Sequence, residues 1–201
     1  MGMQKRLAAE EVRGRLKTKY VATIAVFAVI YTILRIIPTV PMIGAPGRFF
    51  SVSDVIAPLY GIILGPYIGG ASVILGTFLA IAFGRPIIFL GLDFLPAAVN
   101  AVAVGFLMRR RWLLVIGLYT LLLVVFLIHP FTLIFVKVPF LGQELSIPFH
   151  CMHFTAFIAL VSPLSRRAVN WVTTTSLTRL APGIAVLVFI GTMMQHAMGS
   201  I

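Results

Sequence analysis

Trp112-Leu-Leu-Val-Ile-Gly-Leu-Tyr-Thr-Leu-Leu-Leu-Val-Val-Phe-Leu-Ile128 contains no charged residue, and Tyr119 and Thr120 are its only hydroxyl-bearing members. As a helix rising 1.5 Å per residue it reaches about 25 Å, most of the ~30 Å hydrocarbon thickness of a bilayer. Arg109, Arg110 and Arg111 close it on one side and His129-Pro130 on the other. Val21–Ile37 is a second long apolar run. A bilayer leaves two ways to satisfy every backbone polar group, helices or a closed barrel. Barrel strands alternate apolar and polar residues over about 10 positions; these runs do not alternate, so they are helices.

The rest of the chain agrees. Of 201 residues, 60% are hydrophobic and only 10% charged, against about 45–50% and about 25% in soluble domains. Mean hydropathy is +1.08. Too little polar surface remains to coat a water-soluble core. The expected fold is therefore all-α: a polytopic integral membrane bundle of six or seven transmembrane helices in the cell (plasma) membrane.

The net charge of +11 would suit nucleic acid, but its distribution does not. Many of the basic residues flank apolar segments, as the positive-inside rule predicts. Residues 1–19 carry six of them and form a basic cytoplasmic segment, either an amphipathic helix on the anionic inner leaflet or a solvated tail that sets topology. Residues 20–201 form one transmembrane domain. The expected spans are Tyr20–Ile37, Ser53–Leu64, Tyr67–Phe83, Leu92–Met108, Trp112–His129, Pro148–Val161 and Pro182–Ile201. The second and sixth are short for a full crossing. Gly65-Pro66 is a tight turn between the second and third, and Ser51 with Asp54 fits a capping box. Alternating sides from an inner N-terminus puts twelve of the sixteen Lys and Arg inside and four, Arg35, Arg48, Arg85 and Lys137, outside. The first span follows a polar segment without a cleavage site, so it is retained. The sequence ends inside an apolar helix, which suggests truncation.

Small residues recur at spacing four: Gly61 and Gly65; Ser72, Gly76 and Ala80; Ala97, Ala101 and Gly105. Such ridges let helix backbones approach closely in lipid, and they read first as intramolecular packing. Ala22, Ala25 and Ala28 stand at spacing three on the first span.

Polar residues inside apolar spans are costly and so point to function. Asp93 and Asn100, seven apart, fall on one face of the fourth span. His150 and His153 lie one turn apart on the sixth, and Gln195 and His196 on the seventh. Together they place hydrogen-bonding groups from three spans in the outer half of the membrane, the pattern of a pocket loaded from outside. Asp54 reads as a helix cap. Arg48 and Arg85 fall on outer loops, where each either binds an anion or faces water.

Catalytic signatures are missing. There is no GxxxxGK[ST], HExxH or GxSxG motif, and the five acidic residues leave little for acid–base chemistry. The chain is read as neither an enzyme nor an ATPase, and it is assigned no cofactor. Cys151 is the lone cysteine, so no internal disulfide forms. Four histidines without a carboxylate-rich helix or a CxxCH motif make a weak case for metal or haem.

Residues 51–70, Ser-Val-Ser-Asp-Val-Ile-Ala-Pro-Leu-Tyr-Gly-Ile-Ile-Leu-Gly-Pro-Tyr-Ile-Gly-Gly, resemble a segment of the substrate-binding S components of energy-coupling-factor (ECF) transporters. The likeness runs loosely over residues 18–163. It implies a bundle that captures a vitamin or related micronutrient from outside, and that depends on a transmembrane coupling protein and two ATPase subunits for uptake. It further implies a lid over residues 38–52, including Arg48, Phe49 and Phe50, above a pocket drawing on Asp93, Asn100, His150, His153, Gln195 and His196. Ala22, Ala25 and Ala28 would dock the coupling protein, although the family's spacing there is usually four. The family has six helices where seven spans are counted here. The chain lacks the His-containing N-terminal motif of the nickel and cobalt members, which argues against metal uptake. The alternatives from other classes are a solitary secondary transporter with an essential proton-carrying Asp93, a histidine-ligated membrane redox protein, and a scaffold without ligand.

Overall fold

The computed structural model describes residues 2–41, 49–88, 90–129, 135–140, 143–148, 150–174 and 176–200, with the backbone alone for 2–16, 40–41, 135–140 and 143–148. Its helices are α1 (Gly2–Ile36), α2 (Val52–Ala82), α3 (Leu95–Met108), α4 (Trp112–Ile128), α5 (His150–Val161), α6 (Pro163–Val172) and α7 (Leu177–Gly199). Three are long and apolar enough to cross a membrane: α1 over Lys17–Ile36, α2 and α7. α3, α4 and α5 are shorter apolar helices. Large apolar side chains such as Val21, Ile63, Leu113 and Ile158 are exposed. That suits a lipid-facing surface and not a water-facing one.

α1 runs without a break from the basic segment into the first apolar run. α2 is two limbs, 52–64 and 66–82, joined at Gly65, whose φ of 77° and ψ of 177° are non-helical. Only glycine adopts that conformation without strain. The limbs fold back on each other. A Cβ added to Gly69 would lie 2.7 Å from the Tyr60 carbonyl oxygen, whereas residues nine apart in a straight helix are separated by about 13 Å. The expected turn at Gly65-Pro66 is thus a helical hairpin, with Pro66 in the first turn of the second limb, where its missing N–H costs nothing.

The small-residue ridges pack the bundle internally. Cβ atoms on Gly61 and Gly105 would collide with the facing backbone, Gly61 with Ala101 and Gly105, and Gly105 with Pro66. α2 and α3 therefore meet backbone to backbone. Gly76 receives α1 in the same way, since a Cβ added there would lie 2.7 Å from the Ala28 carbonyl oxygen, and Thr32 Oγ1 donates to the carbonyls of Ala28 and Gly76. Tyr31, Ala57, Tyr60, Val73, Ala97 and Ala101 fill the space between α1, α2 and α3. A larger core joins α3 to α7 around Leu107, Tyr119, Phe126, Leu160, Leu187 and Met194.

Three features differ from the expectations. The segment around 38–52 carries an antiparallel pair, β1 (Pro38–Pro41) with β2 (Phe49–Ser51), closed at its base by Val52 N–H donating to Ile37 O at 3.1 Å. The segment expected as a mixed loop at 131–147 contains a second pair, β3 (Phe135–Phe140) with β4 (Gln143–Pro148). The polar stretch after α5 forms α6. Ser162 caps it by accepting from Leu164 N–H, with Pro163 at the first position. Ala168 and Val169 are buried on one side.

Candidate functional site

Arg35 stands near the end of α1, 5% exposed, although it lies within an apolar run. A guanidinium at that depth needs partners. One Nη of Arg35 lies 3.7 Å from Asp54 Oδ1, and the other donates to the Asp93 carbonyl at 3.2 Å. Asp54 sits in the first turn of α2 and divides its oxygens between two tasks. Oδ2 accepts from Ser51 N–H at 2.8 Å and Ser51 Oγ at 2.6 Å, which fastens the helix start. Oδ1 accepts from Gln195 Nε2 at 3.1 Å. Asn100 Nδ2 in turn donates to Gln195 Oε1 at 2.7 Å. A continuous polar chain thus ties α1, α2, α3, α7 and the turn before α3. Arg35 Nε and Asn100 Oδ1 are buried without a hydrogen-bond partner among the described residues.

Asp93 is 3% exposed and lies before α3 rather than on it. Its Oδ1 accepts from Ile88 N–H at 2.9 Å, which ties the carboxylate to the preceding turn. The helix starts later, with Pro96 in its first turn. The shared face expected for Asp93 and Asn100 is corrected accordingly: Arg35 and Asp54 link them, not a common helix.

The six expected pocket residues do not converge on one point. Asn100 and Gln195 belong to the polar chain, and Asp93 joins it through its carbonyl. His153 and His196 form a second group between α5 and α7, with ring centroids 5.3 Å apart; Phe126 lies 4.5 Å from His153 on its other side. His153 is fully buried, and its carbonyl accepts from the Tyr119 hydroxyl at 3.0 Å. His196 shares a hydrogen bond with Ser200 Oγ through Nδ1. His150 stands apart, edge-on to Phe154. Among the described residues no group of three His, Cys, Asp or Glu is placed to hold a metal ion.

A cavity of about 300 Å³ opens beside the polar chain, at the small end of the range for small-molecule sites. The end of α1 (Ile36), the β1–β2 pair (Pro38, Phe49) and the turn after α2 (Phe83, Gly84, Arg85, Pro86, Ile88) line it. Of the expected lid residues, Phe49 lines this cavity, Phe50 is half-buried beside it in β2, and Arg48 lies outside the described residues. None of the six expected pocket residues lines it. Arg85 is half-buried there. Burial, and then repulsion from Arg35, hold its guanidinium below the usual arginine range; Asp54, Tyr31 and Asp93 act in the opposite sense but weakly.

At the far end of the α2 hairpin the basic residues gather. Arg109 stacks on the Tyr67 ring at 5.1 Å and approaches Gly65, and Arg110 donates to Asn170 of α6 at 3.1 Å. On α1, Ala22 and Ala25 are exposed while Ala28 is buried against α2.

Sequence reasoning missed Arg35 and assigned Asp54 only to capping. The signal for Arg35 was available: a charge inside the apolar run Tyr20–Ile37, costly unless partnered. The pairing of Gln195 with both Asn100 and Asp54 had no local signal. No protein-family model matches the chain, and no curated protein or solved structure matches it.

Proposed function

We propose that this chain is the membrane-embedded substrate-binding subunit of an ECF-type micronutrient uptake system. It captures its ligand from outside and relies on a coupling protein and ATPases for transport. The observation that carries this reading is the cavity between the β1–β2 pair and the 83–88 turn, set beside the buried Arg35–Asp54 ion pair. The β1–β2 strands belong, in this reading, to the first outer loop, where the ECF resemblance puts a lid.

In this reading the chain crosses the membrane seven times, through α1, the two limbs of α2, α3, α4, α5 and α7, with the N-terminus inside the cell. α6 then rests on the inner surface with its arginines towards water and lipid headgroups. The grouping of Arg109, Arg110 and α6 at the Gly65 turn agrees with that orientation, since inner surfaces concentrate Lys and Arg. The cavity and the polar chain then fall in the outer half. The chain has no catalytic role of its own, and its site is the plasma membrane.

The test is mass spectrometry of small molecules released from detergent-purified protein, after an absorbance spectrum. One vitamin-like molecule per chain is expected. A colourless, empty preparation that binds none of a panel of water-soluble vitamins would overturn the reading.

A further inference from the structure

The 83–88 turn carries a charge that the polar chain does not use. Arg35, Asp54, Asn100, Gln195 and the Asp93 carbonyl bond to one another. Its backbone N–H donates to Ala80 O, but the Arg85 guanidinium makes no hydrogen bond or ion pair among the described residues, and Arg85 is half-buried and lines the cavity. A guanidinium offers five N–H donors in a planar fork that matches carboxylate and phosphate oxygens. Leaving it partly desolvated and unpaired costs free energy that an anion would recover. Asp54 and Asp93 attract this guanidinium without an ion pair to it among the described residues. The Asp54 oxygens serve Ser51, Gln195 and Arg35, and Asp93 Oδ1 holds Ile88. The other side chains that line it are apolar, among them Phe49, Phe83, Ile36 and Ile88.

We infer that this cavity is an anion-binding site for a small organic acid or phosphate, in which Arg85 pairs with the anionic group while Phe49 and Phe83 flank an apolar or aromatic body. The inference rests on the binding-subunit reading for its biological ligand and sets that ligand's class. The same chemistry is offered by two sources, a water-soluble anion and a phospholipid headgroup, because the cavity is open to one side.

The experiment uses the full chain in phosphatidylcholine nanodiscs, with 2-naphthoate as anionic probe and 2-naphthamide as its neutral counterpart, read by equilibrium dialysis. Naphthoate should bind once per chain and naphthamide about tenfold more weakly or worse, the range expected of one charged hydrogen-bonded pair. Arg85→Gln should weaken naphthoate binding by about the same factor and leave naphthamide unchanged. Arg85→Lys should keep part of the preference. Because Arg85 has no partner to lose among the described residues, the Arg85→Gln protein should melt at the wild-type temperature without probe, which separates loss of the site from misfolding. Repeating the titration in phosphatidylglycerol nanodiscs distinguishes the sources. Competition by that lipid, lost in Arg85→Gln, identifies a headgroup, and its absence a soluble anion.

Equal binding of naphthoate and naphthamide, or naphthoate binding indifferent to Arg85, overturns the inference. A molecule retained through purification that is uncharged, or retained equally by Arg85→Gln, also overturns it while leaving the binding-subunit reading standing. Arg85-dependent naphthoate binding by a protein that retains and binds no vitamin supports the anion site and removes that reading.

Discussion

Removing the charge of Asp54 while keeping its shape tests the buried polar chain most directly. Asp54→Asn retains an oxygen for the Ser51 N–H, so the start of α2 stays capped. What disappears is the ion pair with Arg35, together with the acceptor that Gln195 Nε2 uses, since an amide donor replaces Oδ1. Two unit charges 3.7 Å apart attract by about 4.5 kcal/mol at an effective dielectric constant of about 20. Breaking a buried pair by removing one partner typically costs about 3–5 kcal/mol. The low end applies, about 3 kcal/mol, because the Asp54 side chain is 15% exposed and the contact is longer than a hydrogen bond. Arg35→Met should cost less, about 1.5 kcal/mol. In that variant Asp54 keeps three donors, Ser51 N–H, Ser51 Oγ and Gln195 Nε2, whereas in Asp54→Asn the Arg35 guanidinium keeps only the Asp93 carbonyl. The double variant should be about 1 kcal/mol or more better than the sum of the singles, a coupling typical of residues in one network. The assay is reversible unfolding in mixed micelles, with the helical signal followed as denaturing detergent is added. Additivity within about 0.5 kcal/mol, or a larger cost for Arg35→Met than for Asp54→Asn, would refute the reasoning.

Other perturbations probe the remaining elements. Gly105→Leu should prevent α3 from seating on the Gly65-Pro66 turn, because even a Cβ meets the Pro66 backbone; a monodisperse, stably folded protein on size exclusion would contradict the packing. Gly65→Ala should destabilise by about 1–3 kcal/mol, the usual cost of a non-glycine residue in such a conformation, seen as an earlier unfolding midpoint. Asn100→Leu should cost about 1–3 kcal/mol by stranding Gln195 Oε1 in the interior, and the additional change Gln195→Leu should return part of it. Cys151, the single exposed thiol at the start of α5, should react with a membrane-impermeant maleimide on intact cells if the N-terminus is inside. Labelling only after permeabilisation would reverse the proposed orientation.

How far the sequence carries depends on where each feature's cause lies. α4 was legible almost to the residue, because a charge-free run bounded by arginines and a proline has one stable solution in lipid. The Gly65-Pro66 reversal was legible as a turn, since both residues act locally. α6 was less so. Its buried positions, Ser165, Ala168 and Val169, are few, and the surrounding arginines mask them, although Ser162-Pro163 is a good start signal. The β1–β2 and β3–β4 pairs were not foreseen because short paired strands between helices draw their stability from each other rather than from local pattern. The candidate site divides in the same way. Asn100 and Gln195 were visible as buried amides, but their mutual bond joins residues far apart along the chain. Arg35 was counted for its sign and not for its depth.

The hairpin at Gly65 bears on how the protein is made. The two limbs of α2 leave the ribosome as one segment whose only charge is Asp54 in the first turn, and the turn between them has no charge to tell an insertion machine which side it belongs on. The nearest charge is that of Arg109, which stacks beside the turn but is synthesised only at the end of α3. In the proposed topology the hairpin would then stay free to reverse until α3 is complete. Truncations made before and after Arg109–Arg111 would catch the chain on either side of that commitment.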